Sequence, residues 1–406
     1  MFRFLRFAAA VALPAAMFVP MFAAPAHAVP ATLTVDDNNA QCPEATFTTI
    51  SAAVTAANAG DTIQVCAGIY AETVTVSKQL TFLGAKSGVD GRGLRGNLTK
   101  ESVVNSINGD FIIPGGVDGV TIDGFTIQGA GSDAVGADGV ESFAGSSGLT
   151  LQNNVIRDNL EGINFQNPNG NLPALITRNA FINNDNGTTA EGGTGVFISN
   201  GPANNTQIVS NSFKGHRETA INFAGSPNHS VGLVVSNNKS VDDSTFVVAT
   251  NSDNALVESN KVTHAATGNG SGILDFGSNN SLTISHNTIN GGAGANTSGI
   301  RVADFTGTPS VGTKVITNTV IGRYYGIRST GNYTTLFIGQ NTVKSAAQVG
   351  IDVEAGSGNS ITRNNVSLSA NRACQDLTTG PLTGTANTWS HNNGHGSPSF
   401  PAGICS

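Results

Sequence analysis

Charge is scarce in this chain. Asp, Glu, Lys and Arg make up 12% of its 406 residues, against about 25% in ordinary soluble domains. The balance that remains is acidic, with 27 carboxylate and 20 basic side chains and a formal net charge of −7. An acidic chain is a poor partner for nucleic acid or for an anionic membrane surface, so we expect neither as a ligand.

Long apolar runs are also missing beyond the N-terminus. The apolar segments are short and are separated by Asn, Gly, Ser and Thr, a pattern that argues against a helical repeat. The four cysteines include no Cys-x-x-Cys motif, which argues against a redox or zinc site. Glycine is abundant instead, and its 50 residues supply turns throughout the chain.

A six-residue pattern recurs along the chain: an apolar residue, two variable residues, an asparagine, one variable residue and a second apolar residue. Two apolar residues five apart would face opposite sides of one strand, so a corner must lie between them. Asparagine suits this corner because it tolerates the left-handed region, and stacked asparagines can form a hydrogen-bonded ladder. The copies are Leu151/Asn154/Ile156, Ile176/Asn179/Phe181, Ile208/Asn211/Phe213, Val257/Asn260/Val262, Ile284/Asn287/Ile289, Val315/Asn318/Val320, Ile338/Asn341/Val343 and Ile361/Asn364/Val366, with a degenerate copy at Asn237 or Asn238.

A second pattern falls between the asparagines, in which glycine precedes an apolar, a variable and usually another apolar residue. Each period therefore holds three short strands, and the sequence predicts an all-β solenoid, a single parallel β-helix of about eleven coils. The copies are Gly162–Phe165, Gly195–Ile198, Gly272–Phe276, Gly299–Val302, Gly326–Arg328 and Gly350–Val353, with Ala220–Phe223 as a copy without glycine.

The N-terminus has the pattern of an export signal. Two early arginines precede an apolar stretch from Phe7 to Ala24, and a small-x-small cleavage site ends at Ala28. We therefore expect a signal peptide, residues 1–28, and a secreted protein. Pro14 and Pro20 argue against a retained membrane span. Cleavage would leave 18 basic and 27 acidic residues, a net charge of about −9.

Four cysteines allow three disulfide pairings. Cys42 with Cys66 and Cys374 with Cys405 is the favoured pairing, because each pair brackets one end of the repeats and would staple the terminal coils. Residues 48–59 have apolar side chains at helical spacing, which predicts an amphipathic helix that caps the first coil. The predicted organisation is signal peptide 1–28, N-terminal cap and first coil 29–84, β-helix repeats 85–373 and C-terminal disulfide cap 374–406.

The segments that follow this helix resemble the opening of secreted pectin-lyase-like right-handed parallel β-helix proteins. They are Gly60-Asp-Thr-Ile63, Gly68-Ile-Tyr-Ala-Glu72 and Leu80-Thr-Phe-Leu-Gly84. The resemblance extends over nearly the whole chain after the signal and implies a right-handed solenoid. It implies no single activity, because that superfamily includes polysaccharide lyases, glycoside hydrolases, esterases, epimerases and non-catalytic binding or surface proteins.

The catalytic motifs of these relatives are incomplete here, so the sequence leaves open whether the protein is an enzyme. Gly68, Tyr70 and Glu72 match part of the pectin methylesterase pattern, but Gln375-Asp376 follows Asp110-Phe-Ile-Ile-Pro114 where it should precede it. Polygalacturonases place two carboxylates beside one glycosidic bond. The matching fragments, Asp242-Asp243 and Gly394-His395-Gly396, are about 150 residues apart.

Charged residues recur at one strand position of successive coils. The residue after the inward isoleucine should point outward, which selects Asp275, Arg301, Arg328 and Asp352, and Glu354 lies two residues further on. In pectate lyases the corresponding strand faces the substrate groove. The resemblance therefore makes the three acids candidates for calcium binding or acid/base chemistry, and the two arginines candidates for binding a uronate carboxylate.

Two alternatives to this ligand site stay open. Opposite charges on adjacent strands can simply pair, at about 0.2 to 1 kcal/mol each. A shift of one residue in the strand would also turn Leu274 outward in place of Asp275.

The sequence thus leaves two functional classes. One is a secreted protein that binds, or processes, an extracellular and acidic polysaccharide, with calcium as a candidate cofactor. The other is a non-catalytic extracellular structural or adhesion rod. We favour the polysaccharide, because an elongated β-helix offers a long shallow groove and the charge cluster suits an acidic glycan. No feature of the sequence specifies an oligomeric state.

Overall fold

The computed structural model describes residues 29–93, 95, 97–131, 137–186, 192–224, 228–264, 270–381 and 384–406. The expected signal peptide, residues 1–28, lies outside the described residues and remains a prediction. Within the described part, three parallel sheets wind into a right-handed β-helix of about 13 turns, which confirms the predicted fold class. There are more turns than the expected eleven, because terminal segments such as Thr32–Val35 and Thr388–Ser390 also form strands of the solenoid.

Sheet 1 holds the first apolar residue of each six-residue pattern. Leu151 lies in register with Ile176, and Ile176 with Ile208. The first apolar residue of each of the eight copies is fully buried, as predicted. Val235 continues the column at the degenerate copy, between Ile208 and Val257. The strands are Thr32–Val35, Thr62–Val65, Thr81–Leu83, Thr121–Asp123, Thr150–Gln152, Leu175–Thr177, Gln207–Val209, Val234–Ser236, Leu256–Glu258, Thr283–Ser285, Lys314–Ile316, Phe337–Gly339, Ser360–Thr362 and Thr388–Ser390.

Sheet 2 follows the asparagine corner and holds the second apolar residue of the pattern. Ile156 and Phe181 pair in register and are buried, and the rings of Phe181 and Phe213 stack at 4.9 Å on the next coil. The strands are Gly68–Tyr70, Ser102–Asn105, Phe125–Gln128, Val155–Arg157, Ala180–Ile182, Ser212–Lys214, Lys239–Val241, Lys261–Thr263, Thr288–Asn290, Thr319–Ile321, Thr342–Lys344 and Asn365–Ser367.

Sheet 3 contains the glycine-led pattern and has the longest strands. A further pair of short strands, Ser230–Val231 and Ser252–Asp253, forms a small separate sheet. The strands of sheet 3 are Val74–Thr75, Phe111–Ile113, Val140–Ser142, Ile163–Asn167, Thr194–Ala203, Thr219–Phe223, Thr245–Thr250, Ile273–Gly277, Ser298–Val302, Tyr325–Ser329, Val349–Val353, Arg372–Asp376 and Ser399–Phe400.

The predicted asparagine ladder runs along the corner between sheets 1 and 2. Each side-chain amide donates to the side-chain oxygen of the next asparagine at 2.9–3.1 Å, and Asn238 is the member at the degenerate copy. The ladder members are Asn154, Asn179, Asn211, Asn238, Asn260, Asn287, Asn318, Asn341, Asn364 and Asn392.

The left-handed conformation expected of these asparagines belongs instead to the residue before each one. Residues as different as His286 and Thr317 have φ near +55° there. The left-handed residue makes the turn, and the asparagine that follows it is buried and pairs with the asparagines of the adjacent coils.

The predicted capping helix spans Ile50–Ala56, shorter than the expected 48–59, and a 3-10 turn spans Leu98–Lys100. The hydroxyl of Thr49 accepts from the backbone N–H of Ala52 at 3.2 Å. The Glu72 carboxylate accepts from the backbone N–H groups of Ile50 and Ser51 at 2.8 and 2.9 Å. The glutamate of the Gly-x-Tyr-x-Glu segment therefore holds the start of the helix.

Two disulfide bonds join Cys42 to Cys66 and Cys374 to Cys405, so the predicted pairing is confirmed. Each bond lies at one end of the solenoid. In the part of the chain that the structure describes, no helix has the length and hydrophobicity required to cross a membrane.

Candidate functional site

One column of outward side chains on sheet 3 brings together most of the predicted site residues. Backbone register places Arg301 beside Arg328 and Arg328 beside Asp352, on three adjacent strands. The column continues to Gln375 and ends at Phe400. We call these five residues the outer column. Neighbouring strands lie about 4.8 Å apart, so the side chains of adjacent members can touch.

The expected outward position of Asp275 is wrong. Register pairs Leu274 with Arg301 and turns Asp275 into the solenoid, where it is fully buried. Its carboxylate accepts from the hydroxyls of Ser310 and Thr313 at 2.7 and 2.9 Å, and from the Asn279 amide at 2.8 Å. Burial raises the pKa of Asp275. Asp275 therefore belongs to a polar cluster inside the fold and not to the outer face.

Arg328 is the paired arginine of the outer column. Its guanidinium contacts the Glu354 carboxylate through Nη2 at 2.5 Å and donates from Nε at 2.7 Å. The same Nε lies 3.6 Å from Asp352 Oδ2. The Arg328 side chain is only 15% exposed, so water screens these contacts less than it screens an open surface pair. The structural pairing that the sequence left open therefore exists for Arg328.

Asp352 and Glu354 form a carboxyl pair beside this arginine. Burial raises the pKa of Asp352 to about 7, and the adjacent Glu354 carboxyl adds to the effect. Gln375 donates to Asp352 Oδ1 at 2.9 Å and favours the ionised form, as does Arg328, but burial has the larger effect. Asp352 therefore holds a proton up to about neutral pH, which leaves Glu354 as the principal counter-charge of Arg328.

Arg301 has no such partner. It makes no ion pair with any described residue, and its Nε is buried without a hydrogen-bond acceptor. Burial and the adjacent charge of Arg328 lower the pKa of Arg301, and the charge of Glu354 acts in the opposite direction. The guanidinium carbon also lies 4.8 Å from the centre of the Phe305 ring. The outer column therefore carries two adjacent cations, Arg301 and Arg328, and the Nε donor of Arg301 makes no hydrogen bond.

Aromatic rings lie against the arginines of this face. The charge pattern of the sequence did not predict these rings, because that pattern contains only charged residues. Arg328 lies over the ring of Tyr325 at 4.2 Å and Arg372 over the ring of Phe400 at 5.2 Å. The rings of Phe276 and Phe305 meet at 4.9 Å. Phe305 and Phe400 are each about half exposed. For Arg301 and Arg328 the signal available in the sequence was an aromatic residue within four positions, in a chain with 6% aromatic residues, whereas Phe400 is 28 residues from Arg372.

The comparisons with known proteins concern the fold. No family model matches the chain, and no curated protein matches it significantly by sequence. Among solved structures, the A-module of an Azotobacter vinelandii mannuronan C-5 epimerase is 14% identical, with a TM-score of 0.55 over 86% of this chain and 91% of that chain. A mannuronic acid specific polysaccharide family 6 lyase from human gut microbiota is 14% identical, with a TM-score of 0.52 over 83% and 81%.

A third match is a double mutant of the tailspike protein of E. coli bacteriophage HK620 in complex with a pentasaccharide. It is 12% identical, with a TM-score of 0.51 over 84% of this chain and 70% of that chain. The chain has a pectin-lyase-like parallel β-helix fold. At such low identity the likeness extends to the fold alone.

The residues of this β-helix do not fit the calcium site that the resemblance suggested. Calcium takes six to eight oxygen ligands, but Asp275 is inside the fold and Arg328 already contacts Glu354 and lies near Asp352. The one other cluster of metal-ligating types among the described residues is Asp36 with two disulfide-bonded cysteines. We therefore derive no calcium chemistry for the outer column.

His216, Asp243 and Ser240 form a buried, hydrogen-bonded cluster inside the β-helix. His216 Nδ1 lies 2.6 Å from Asp243, and the Ser240 hydroxyl donates to the other oxygen of that carboxylate at 2.6 Å. All three residues are buried, and the histidine and aspartate side chains are wholly inaccessible. A substrate cannot reach them. His395, the histidine of the Gly-His-Gly fragment, lies in the C-terminal region and contacts Asn365.

A second carboxyl pair lies further along the outer face of sheet 3. Glu141 occupies the position equivalent to the outer column, six strands before Arg301, and one of its carboxylate oxygens is buried without a partner. Burial raises the pKa of Asp138 to about 7, and Glu141 adds to the effect. Six strands correspond to roughly 29 Å, so this pair and Arg301 could contact one ligand only if it is a long chain.

Proposed function

We propose that the outer column of sheet 3 binds an acidic polysaccharide outside the cell. The observation that carries the proposal is Arg301, a half-buried guanidinium with no acid partner among the described residues, beside Arg328 on the next strand. Like charges directly opposite each other in a sheet are destabilising. Glu354 offsets part of this repulsion, and an anion bound between the two guanidinium groups would offset the rest.

A uronate carboxylate fits the requirement of the two arginines. A guanidinium presents a planar fork of donors that matches a carboxylate, often through two parallel hydrogen bonds. Arg328 keeps Glu354 as its partner, so Arg301 supplies the free donors. The ligand carboxylate would lie between the two guanidinium groups and offset their repulsion.

The aromatic rings supply the apolar part of the proposed site. Sugar rings present C–H faces that pack on aromatic side chains, and exposed Phe305 and Phe400 lie at opposite ends of the group of arginines. The names of the structural neighbours, an epimerase acting on mannuronan, a lyase specific for mannuronic acid and a tailspike bound to a pentasaccharide, are consistent with a polysaccharide partner for this fold.

Two observations favour binding over cleavage. Glycosidases need two carboxyl groups that are free to act on one glycosidic bond, whereas the Glu354 carboxylate is engaged by Arg328 through Nε at 2.7 Å and Nη2 at 2.5 Å. Asp352 is also only 1% exposed, which keeps it from a substrate.

The disulfides and the N-terminal export pattern support a secreted protein.

Titration of acidic oligosaccharides into the protein tests the proposal. Oligouronates should bind, and Arg301→Ala should weaken binding at least tenfold, because a hydrogen bond to a charged group contributes about 1.5 to 3 kcal/mol. Lys344→Ala is the matched control, since Lys344 is exposed on sheet 2 in the same region of the solenoid. Both variants should melt within a few degrees of the parent, and a chelator should leave binding unchanged.

The alternative function has a distinct outcome. If no acidic glycan binds, or if Arg301→Ala binds as tightly as the parent, the protein belongs to the structural or adhesion rods and the arginines are scaffold. Mass analysis of the bound oligosaccharide separates the remaining cases. Shortened or unsaturated products would show processing and would contradict the preference for binding alone.

A further inference from the structure

A groove of about 710 Å³ lies on the outer face of sheet 2. Its floor is formed by the strands Ala180–Ile182, Ser212–Lys214 and Lys239–Val241, and its wall contains Asp90, Arg92, Gly93 and Arg95. Small-molecule sites commonly enclose roughly 300 to 1,000 Å³, so the groove has the size of a binding pocket. It shares no residue with the outer column of sheet 3.

Basic side chains dominate the groove. Among the described residues of its lining, Arg92, Arg95, Lys214 and Lys239 are basic and Asp90 alone is acidic. Within a chain that carries 27 acidic and 20 basic residues, four cations around one cavity are a local reversal of charge. The groove is therefore a site of positive potential on an acidic protein.

The two arginines of the groove have acid partners. Arg95 pairs with Glu101, and both side chains are less than 10% exposed. Arg92 contacts Asp90 through Nη2 at 2.6 Å, and this pair is about 40% exposed. Lys214 and Lys239 differ, because both are exposed and neither makes an ion pair with a described residue. The lysines hold the unbalanced charge.

The position of Lys239 is unfavourable for the fold itself. Lys239 lies in register with Lys261 on the next strand, and like charges directly opposite each other destabilise a sheet. The same strand position is uncharged on the coils to either side, where it reads Ala180, Ser212, Thr288, Thr319 and Thr342. Lys239 therefore has a cost for the sheet that an anionic ligand in the groove would offset, whereas Lys261 lies outside the groove lining.

The wall of the groove is fixed in place without a ligand. The backbone N–H of Gly91 donates to Arg178 O at 2.9 Å. Arg95 donates to the backbone oxygens of Gly124 and Phe125 at 3.4 and 3.3 Å, and also to that of Asn153. A buried ion pair and these backbone bonds hold the wall against the coils, so the groove is preformed.

We propose that this groove is a second binding site, for a carboxylate, sulfate or phosphate group, with Lys214 and Lys239 as its cationic contacts. Ser212 and Asn237 line the same groove and would add neutral polar groups beside the lysines. The anion is either free or attached to a sugar. The site goes beyond the proposed function, since it lies on a different sheet and requires neither arginine of the outer column.

Calorimetric titration of the Arg301→Ala protein tests this site with binding at the outer column weakened. The probes are inorganic phosphate, galacturonic acid, trigalacturonate and neutral maltotriose. We expect at least one anionic probe to bind, with an affinity that falls as salt is raised, and maltotriose not to bind. Lys214→Gln with Lys239→Gln should weaken anion binding at least tenfold.

Matched variants make the result specific. Lys314→Gln with Lys344→Gln also removes two exposed lysines, on other parts of the solenoid, and should leave binding unchanged. Asp90→Asn removes the acid found among the described lining residues and should strengthen binding. Circular dichroism should show the same fold for all variants.

The probes also separate the two sources of the anion. Binding of phosphate alone supports a free anion, and binding of trigalacturonate over galacturonic acid supports an anion carried by a glycan. If no anionic probe binds, or if the Lys214 and Lys239 variant binds as the parent does, the groove is not an anion site. Either result leaves the outer-column proposal untouched, because that proposal depends on the effect of Arg301.

Discussion

Replacing Asn287 with alanine in the middle of the asparagine ladder should destabilise the solenoid by about 4 kcal/mol. The Asn287 amide donates to Val257 O and to Asn318 Oδ1 at 2.9 and 3.0 Å. Its oxygen accepts from the backbone and side-chain N–H groups of Asn260, both at 3.0 Å. All four bonds are buried, and each contributes about 1 kcal/mol net.

Urea unfolding of Asn287→Ala followed by circular dichroism measures this loss. Asn332→Ala is the control, because Asn332 is exposed and should change the free energy of unfolding by less than about 0.5 kcal/mol. A double variant with Asn318→Ala should cost less than the sum of the two single changes, since one hydrogen bond joins the two side chains and is lost in either single variant. A loss below about 1 kcal/mol for Asn287→Ala would refute the claim that the ladder stabilises the coils.

Two further predictions concern pH and the C-terminal disulfide. Because the folded-state pKa of Asp352 is about 7 against an ordinary 3.8, the folded protein binds this proton more tightly than the unfolded chain, and the free energy of unfolding should fall as pH rises from 3.8 to about 7. Asp352→Asn should reduce that slope in denaturant titrations at several pH values, and an unchanged slope would contradict the assignment. Replacing Cys374 and Cys405 together with serine should cost about 3 to 4 kcal/mol, as expected for a bond that closes a loop of 31 residues. Equal unfolding midpoints with and without the bond would show that it adds no stability.

The solenoid could be predicted from the sequence because the pattern that specifies each coil is short and recurs along the chain. The spacing of Leu151, Asn154 and Ile156 specifies a strand, a corner and a second strand, and nine copies of that spacing specify the stack. The same logic predicted the ladder, since identical residues at identical corners must meet. It did not identify the left-handed residue, because the residues before the asparagines, such as His286 and Thr317, share no side-chain type.

The candidate site depends on contacts that no local pattern contains. Asp275 appeared to continue the charge column, but its inward position depends on Ser310 and Thr313, 35 and 38 residues away, whose hydroxyls donate hydrogen bonds to its carboxylate inside the fold. A strand shift of one residue reverses the direction of every side chain, and polarity alone could not decide between the two registers. The pairing of Arg328 with Glu354, and the lack of a partner for Arg301, likewise appeared only when adjacent coils were stacked.

The sequence by itself therefore determined the architecture, the two disulfides and the face of the solenoid that carries the arginines. Tertiary structure decided which of the charged residues are free to meet a ligand. The groove on sheet 2 shows the same division, because its wall at Arg92 and its floor at Lys214 and Lys239 are more than 100 residues apart along the chain. Repetition sets where each strand lies, whereas burial and pairing between distant coils set which charges remain unbalanced.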